Sequence, residues 1–157
     1  VPLGGVIISD QIVERFRDQA YPGGLTYSGH PLACAAAVAT IETMRAEAMV
    51  DNAARIGAEV LGPGLAELAD RHAVIGDIRG LGVFWAVELV ADRSTKEPLA
   101  PYGASSPEMK AITDRARAGG LLMFSNYNRF HLVPPCNISD EDTKQALAIL
   151  DDALCAV

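Results

Sequence analysis

Apolar residues recur along this chain at two spacings, and the changes between them divide it into elements. From Pro31 to Met49, Leu32, Ala36, Ala39 and Thr43 form one helical stripe, with Val38, Ile41 and Met44 beside it. A second helix is predicted from Ala53 towards Arg71, carried by Ile56, Val60, Leu65 and Leu68 and capped by Asp51 or Asn52. Gly62-Pro63-Gly64 lies in its middle and should break it into two pieces. Ser106-Pro107-Glu108 has cap, proline and acid in helix-start order, and Gly119-Gly120 ends that helix after Ala118. Ser139 and the acids at 140–142 open a last helix to about Cys155, with Ala146, Ile149, Leu150 and Leu154 inward. A short helix from Gln11 to Arg17 follows Ser9-Asp10.

The period-two and β-branched runs are shorter. Val6-Ile7-Ile8, Val83 to Val90, Leu121 to Phe124 and Arg129 to Val133 read as strands. The turn Ser125 to Asn128 joins the last two, and Pro134-Pro135 ends the final one because proline cannot donate to a ladder. Ala91 to Ser106 is a polar surface loop. Helices and paired strands in this order after Arg79 make a compact α+β unit. Glu88, the one charge in its strand, suits a structural hydrogen bond.

Composition narrows the function. With 157 residues, half of them hydrophobic, the chain can bury a core. A net charge of −7 with scattered basic residues argues against nucleic acid and against an anionic membrane surface, and no apolar run approaches a membrane span. Cys34, Cys136 and Cys155 are too far apart for a zinc site, and no metal-binding pair appears. Free thiols point to a reducing cytoplasm.

One junction stands out chemically. Gly23, Gly24 and Gly29 loosen a polar turn that runs straight onto Pro31, a favoured first residue of a helix. Unpaired amides and hydroxyls at the positive end of a helix dipole suit an anion such as a phosphate. The stretch Leu25-Thr26-Tyr27-Ser28-Gly29-His30-Pro31-Leu32-Ala33-Cys34-Ala35-Ala36 resembles the segment that follows the catalytic lysine in class III aminotransferases, pyridoxal-phosphate enzymes of fold type I. Arg79-Gly80-Leu81-Gly82 leading to Glu88-Leu89, and Leu132 to Ser139, resemble the small domain of the same family.

The resemblance implies an α/β fold: a C-terminal fragment of a fold type I transferase, with residues 1–50 from the end of the large cofactor-binding domain and 51–157 forming the small α+β domain. It implies that the Leu25 backbone and the Thr26 hydroxyl reach the phosphate of pyridoxal 5'-phosphate held by a neighbouring subunit, hence a homodimer with shared sites. Val-Pro-Leu-Gly-Gly-Val-Ile resembles the return strand after the Schiff-base lysine, which places that lysine a few residues upstream of Val1. Lys96, Lys110 and Lys144 lie among acids or in a polar loop and read as surface charges, so no catalytic residue is assigned within the chain.

Arg129 and His131 alternate with Phe130 and Leu132 and therefore share one strand face. A guanidinium beside an imidazole suits a carboxylate. In many family members an arginine at the position of His131 holds the substrate carboxylate; Arg129, on the same face, is the residue to take that task here. The implied reaction moves an amino group from an amine or ω-amino acid to a keto acid such as pyruvate. Within the family an aminomutase is the alternative. From a different class, the chain is a non-catalytic truncated fragment that pairs with a partner carrying the lysine.

Overall fold

The computed structural model describes residues 1–157 as two compact units, Val1–Glu47 and Ala48–Val157. The first holds two helices, α1 (Asp10–Arg15) and α2 (Pro31–Ala46), and no strand. Val6-Ile7-Ile8 was expected to be a strand and is exposed coil. A strand exists through the ladder it pairs with, and no second strand lies in this unit to complete it. Helix α2 forms from its own residues: Pro31 pre-sets the first turn and alanines fill the interior. It ends three residues before the expected Met49, because Ala48 adopts the left-handed conformation (φ 48°) and starts a new helix.

That helix is α3 (Met49–Ile56), so Asp51 and Asn52 lie inside it rather than capping it. The Asn52 side chain instead donates to the carbonyls of Cys136 and Ile138, 2.9 and 3.0 Å away. The interruption predicted at Gly62-Pro63-Gly64 takes the form of a π-helical turn over Gly57–Leu61 that runs directly into α4 (Gly62–Arg71). Widening the turn accommodates Pro63, which has no N–H to give the helix.

A sheet follows. Strands β1 (Ile75–Leu81) and β2 (Phe84–Asp92) form a hairpin, and the two-residue β3 (Glu97–Pro98) pairs with the end of β2 inside the expected loop. After α5 (Pro107–Ala118), β4 (Phe124–Asn126) and β5 (Arg129–Leu132) complete the antiparallel order β1-β2-β5-β4, and α6 (Asp140–Leu154) closes the chain. Ser106 and Ser139 cap α5 and α6 through the amides of Met109 and Asp142, as their sequence signatures predict. Strand β4 lies two to three residues later than expected, with Leu121 to Met123 outside the ladder.

One face of the sheet meets the helices. Val87, Leu89 and Phe130 are fully buried there with Ile56, Leu65, Leu68, Met109, Ile112, Leu150 and Leu154. Trp85 fits this core only because its neighbours are small. A Cβ on Gly80 would lie 2.2 Å from the Trp85 ring, and one on Gly62 would lie 3.0 Å away. The indole N–H donates to the Gly82 carbonyl at 2.7 Å. Gly82 has φ +56°, and its carbonyl oxygen would lie 2.1 Å from a Cβ on Gly57.

Candidate functional site

The opposite face of the sheet presents Asp77 and Arg79 from β1, Phe84, Ala86 and Glu88 from β2, Arg129 and His131 from β5, and Phe124 and Asn126 from β4. Register sets them in rows. Asp77, Glu88, Arg129 and Asn126 lie across one row, and Arg79, Ala86, His131 and Phe124 across the next.

Charges in these rows are unevenly satisfied. Arg79 forms an ion pair with Asp77 at 2.8 Å and donates a hydrogen bond to Glu88 at 3.0 Å, which gives Glu88 the structural partner its strand position predicts. Arg129, directly opposite Glu88, joins no ion pair, and its Nε is buried with no hydrogen-bond partner. The Nε2 of His131 is buried and unpartnered as well. Buried polar atoms almost always find partners, which makes these two atoms on one face candidates to meet a group from outside the chain. The His131 ring sits edge-on to Phe124 and Phe84, with centroids 5.4 and 6.4 Å away. Both phenyl rings are mostly exposed, at 65% and 59%.

His131 and Phe124 also border an apolar cavity of about 650 Å³ between the strand ends and α6, lined further by Leu122, Val133, Pro135 and Leu147. Phe84 and Phe124 were not singled out from the sequence. Alternation would have found them only with the pairing of β4 and β2 onto β5 in hand. Tyr127 and Asn128 form the β4–β5 turn; Asn128 donates to the Leu89 carbonyl at 2.8 Å, so its role there is to fasten the turn to β2.

Leu25 and Thr26 lie in the first unit, both exposed, in the turn before α2. The Leu25 amide donates to Ser28 Oγ at 3.2 Å, and the Leu25 carbonyl accepts from the Ser28 amide at 2.9 Å. Gly29 has φ +65°, the conformation the sequence anticipates at this corner. Helix α2 has no side-chain cap and no acid in its first turn. Its amides at Leu32 and Ala33 have no acceptor within the helix. These donors and the Thr26 hydroxyl fit a phosphate.

The lysines fit no aldehyde-bearing cofactor: Lys96, Lys110 and Lys144 are exposed in the second unit, and Lys110 is paired with Asp114. No group of three or more His, Cys, Asp or Glu could hold a metal ion, and the three cysteines are free and exposed. No helix is long and apolar enough to cross a membrane.

Comparison with known proteins agrees over nearly the whole chain. The profile of the family Aminotransferase class-III matches residues 1–154. The 5-aminovalerate aminotransferase DavT of Pseudomonas aeruginosa is 37% identical over 154 residues, covering 95% of this chain and 34% of the relative. The 4-aminobutyrate aminotransferase GabT of Escherichia coli is 35% identical with the same coverage. A solved taurine:2-oxoglutarate aminotransferase from Bifidobacterium kashiwanohense, in complex with PLP and glutamate, superposes with a TM-score of 0.90 at 33% identity, covering 99% of this chain and 34% of that one. The chain thus spans about a third of the length of the relatives it matches.

Proposed function

The chain belongs to the class III aminotransferase family, and on that premise we propose that it forms the C-terminal third of a pyridoxal-phosphate-dependent aminotransferase. Its fold is the corresponding portion of the fold type I transferases. In this reading residues 1–50 end the large cofactor-binding domain and 51–157 are the small domain. The enzyme moves an amino group from an amine or ω-amino acid to a keto acid such as pyruvate. The relatives' names, with 5-aminovalerate, 4-aminobutyrate and taurine among their substrates, support a donor whose acid group is remote from the amine.

The residues divide the work by chemistry. The Thr26 hydroxyl and the first turn of α2 hold the cofactor's phosphate, with the helix dipole favouring its charge. The Leu25 amide joins them by exchanging Ser28 Oγ for a phosphate oxygen. In the homodimer this corner serves the neighbouring subunit's cofactor. The chemistry that pyridoxal phosphate supplies when bound is electron withdrawal from the carbon bearing the amino group. The amine that carries it, and that moves the proton at that carbon, comes from a lysine outside this chain. Arg129 binds the substrate's acid group through two parallel hydrogen bonds and so fixes which end of the substrate faces the cofactor.

The observation that carries this reading is the Arg129 guanidinium, which meets no carboxylate in the structure. In the intact protein, Arg129→Leu is expected to raise KM for acid-bearing donors by about tenfold to a hundredfold, the worth of a charged hydrogen bond. Donors without an acid group should change little. Thr26→Ala is expected to weaken cofactor retention about tenfold, measured by dialysis and absorbance. Absence of amino transfer from every ω-amino acid to both pyruvate and 2-oxoglutarate would overturn the assignment.

A further inference from the structure

Residues Val133 to Ser139 link β5 to α6, and two of them are prolines with no amide to donate. One backbone bond lies within this link, from the Ile138 amide to the Pro135 carbonyl at 3.0 Å. Helix α3 supplies anchors from across the chain. The Asn52 side-chain nitrogen donates to the Cys136 carbonyl at 2.9 Å and to the Ile138 carbonyl at 3.0 Å. The Asn52 side-chain oxygen accepts from Arg55 at 3.0 Å, and Arg55 donates onward to Asp140 at 2.7 Å. Both ends of the Asn52 amide are thus engaged, which fixes the way it faces.

The near end of the link adjoins the candidate site. Val133 and Pro134 line the cavity that also holds Phe124 and His131. They line as well a second apolar groove, of about 770 Å³, shared with Phe84 and with Val50 and Ala53 of α3. Val133 and Pro134 are therefore a wall between two apolar spaces, and each space reaches one of the phenyl rings edge-on to His131.

We propose that Asn52 is a positioning residue for substrate length: by tying residues 136–138 to α3, it sets where the wall at Val133 and Pro134 stands beside the strand face that receives the donor. The inference rests on the reading of that face given above and adds a residue outside it. Asn52 acts through the link and touches no substrate. Pro134 and Pro135 have fixed φ, so a shift at Cys136 passes along the chain to Val133 instead of being absorbed between them. A carboxylate in place of the amide would face two carbonyl oxygens with no hydrogen to give. The link would then move away from α3 and widen the groove between them, making room for a longer donor.

The test uses the intact, cofactor-loaded protein and two ω-amino acids that differ by one methylene, 4-aminobutyrate and 5-aminovalerate. Asn52→Asp should raise the ratio of kcat/KM for the longer donor over the shorter by about tenfold, the lower end of what a methylene is worth in a fitted pocket. Asn52→Ser, too short to reach both carbonyls, should shift the ratio the same way by less. Ile112→Val, which removes one buried carbon from α5, should leave the ratio at its wild-type value. Loss of folded protein lowers both rates together and cancels in the ratio. Hydrogen exchange reads the tether without catalysis: the Ile138 amide should exchange faster in both Asn52 variants, with the Met109 amide, capped by Ser106, unchanged. An unchanged ratio, a shift toward the shorter donor, or an equal shift in Ile112→Val overturns the inference, and so does unchanged exchange at Ile138. If the wild-type protein takes neither donor with any keto acid, the underlying site reading fails, a result distinct from a working enzyme whose ratio ignores Asn52.

Discussion

Within Val1–Glu47 the one buried residue is Ala33, whereas Ala48–Val157 packs Phe130, Ile56, Leu65, Leu68, Leu89, Met109, Ile112, Leu150 and Leu154 to nearly zero exposure. The apolar residues of the first unit are as numerous locally as those of the second. Val6, Ile7, Leu25, Leu32, Val38 and Ile41 nonetheless stand exposed. The difference separates two sources of structure. Helix α2 follows local signals, with alanines of high helix propensity and a proline at its start, and buries only Ala33 within these residues. The strand pattern at Val6–Ile8 needs another strand beside it and remains coil. Burial in the second unit is collective, with helices α3 to α6 on one face of a sheet.

The contrast can be broken by substitution. Phe130→Ala removes a fully buried ring from the centre of β5 and should cost about 3–5 kcal/mol, seen in chemical denaturation of the second unit. Gly57→Ala is expected to cost about 1–3 kcal/mol, because its Cβ would meet the Gly82 backbone rather than a side chain that can turn aside.

Acid should sharpen the contrast next. Asp151 lies below its ordinary value of 3.8, first through its hydrogen bond with His72 and then through Arg71. Arg115 lowers Asp152 in the same way, and Arg55 lowers Asp140. A carboxylate depressed on folding contributes stability that is present above its unfolded value and lost as pH falls through its folded one. The ties from α6 to α3, α4 and α5 should therefore loosen below pH 4, lowering the melting temperature of the second unit. The smallest effect is expected of Ile41→Ala. It removes a half-exposed side chain from α2 and should change stability by less than about 0.5 kcal/mol, against several for Phe130→Ala. A cost comparable to that of Phe130→Ala would show that α2 shares a cooperative core.

What could be read from the sequence follows the same line. Helices α5 and α6 were legible because their caps are local: Ser106 and Ser139 each bond an amide three residues on. Strand β1 was not, since Gly76, Asp77 and Gly80 have poor strand propensity and the strand is held by its pairing with β2. The break at Ala48 has no signature either, because alanine gives no hint of a left-handed turn. In the candidate site, alternation put Arg129 and His131 on one face. That both lack partners depends on β2 and β4, where Glu88 is taken by Arg79 and Asn126 and Phe124 offer no charge. The fastening of the 136–138 segment by Asn52 spans 84 to 86 positions and leaves no trace in spacing.

Trp85, the single tryptophan, is enclosed by Gly62 and Gly80 with its indole hydrogen-bonded to Gly82. Its emission is therefore a built-in optical probe of the sheet and its helices, shifting to the red when they come apart.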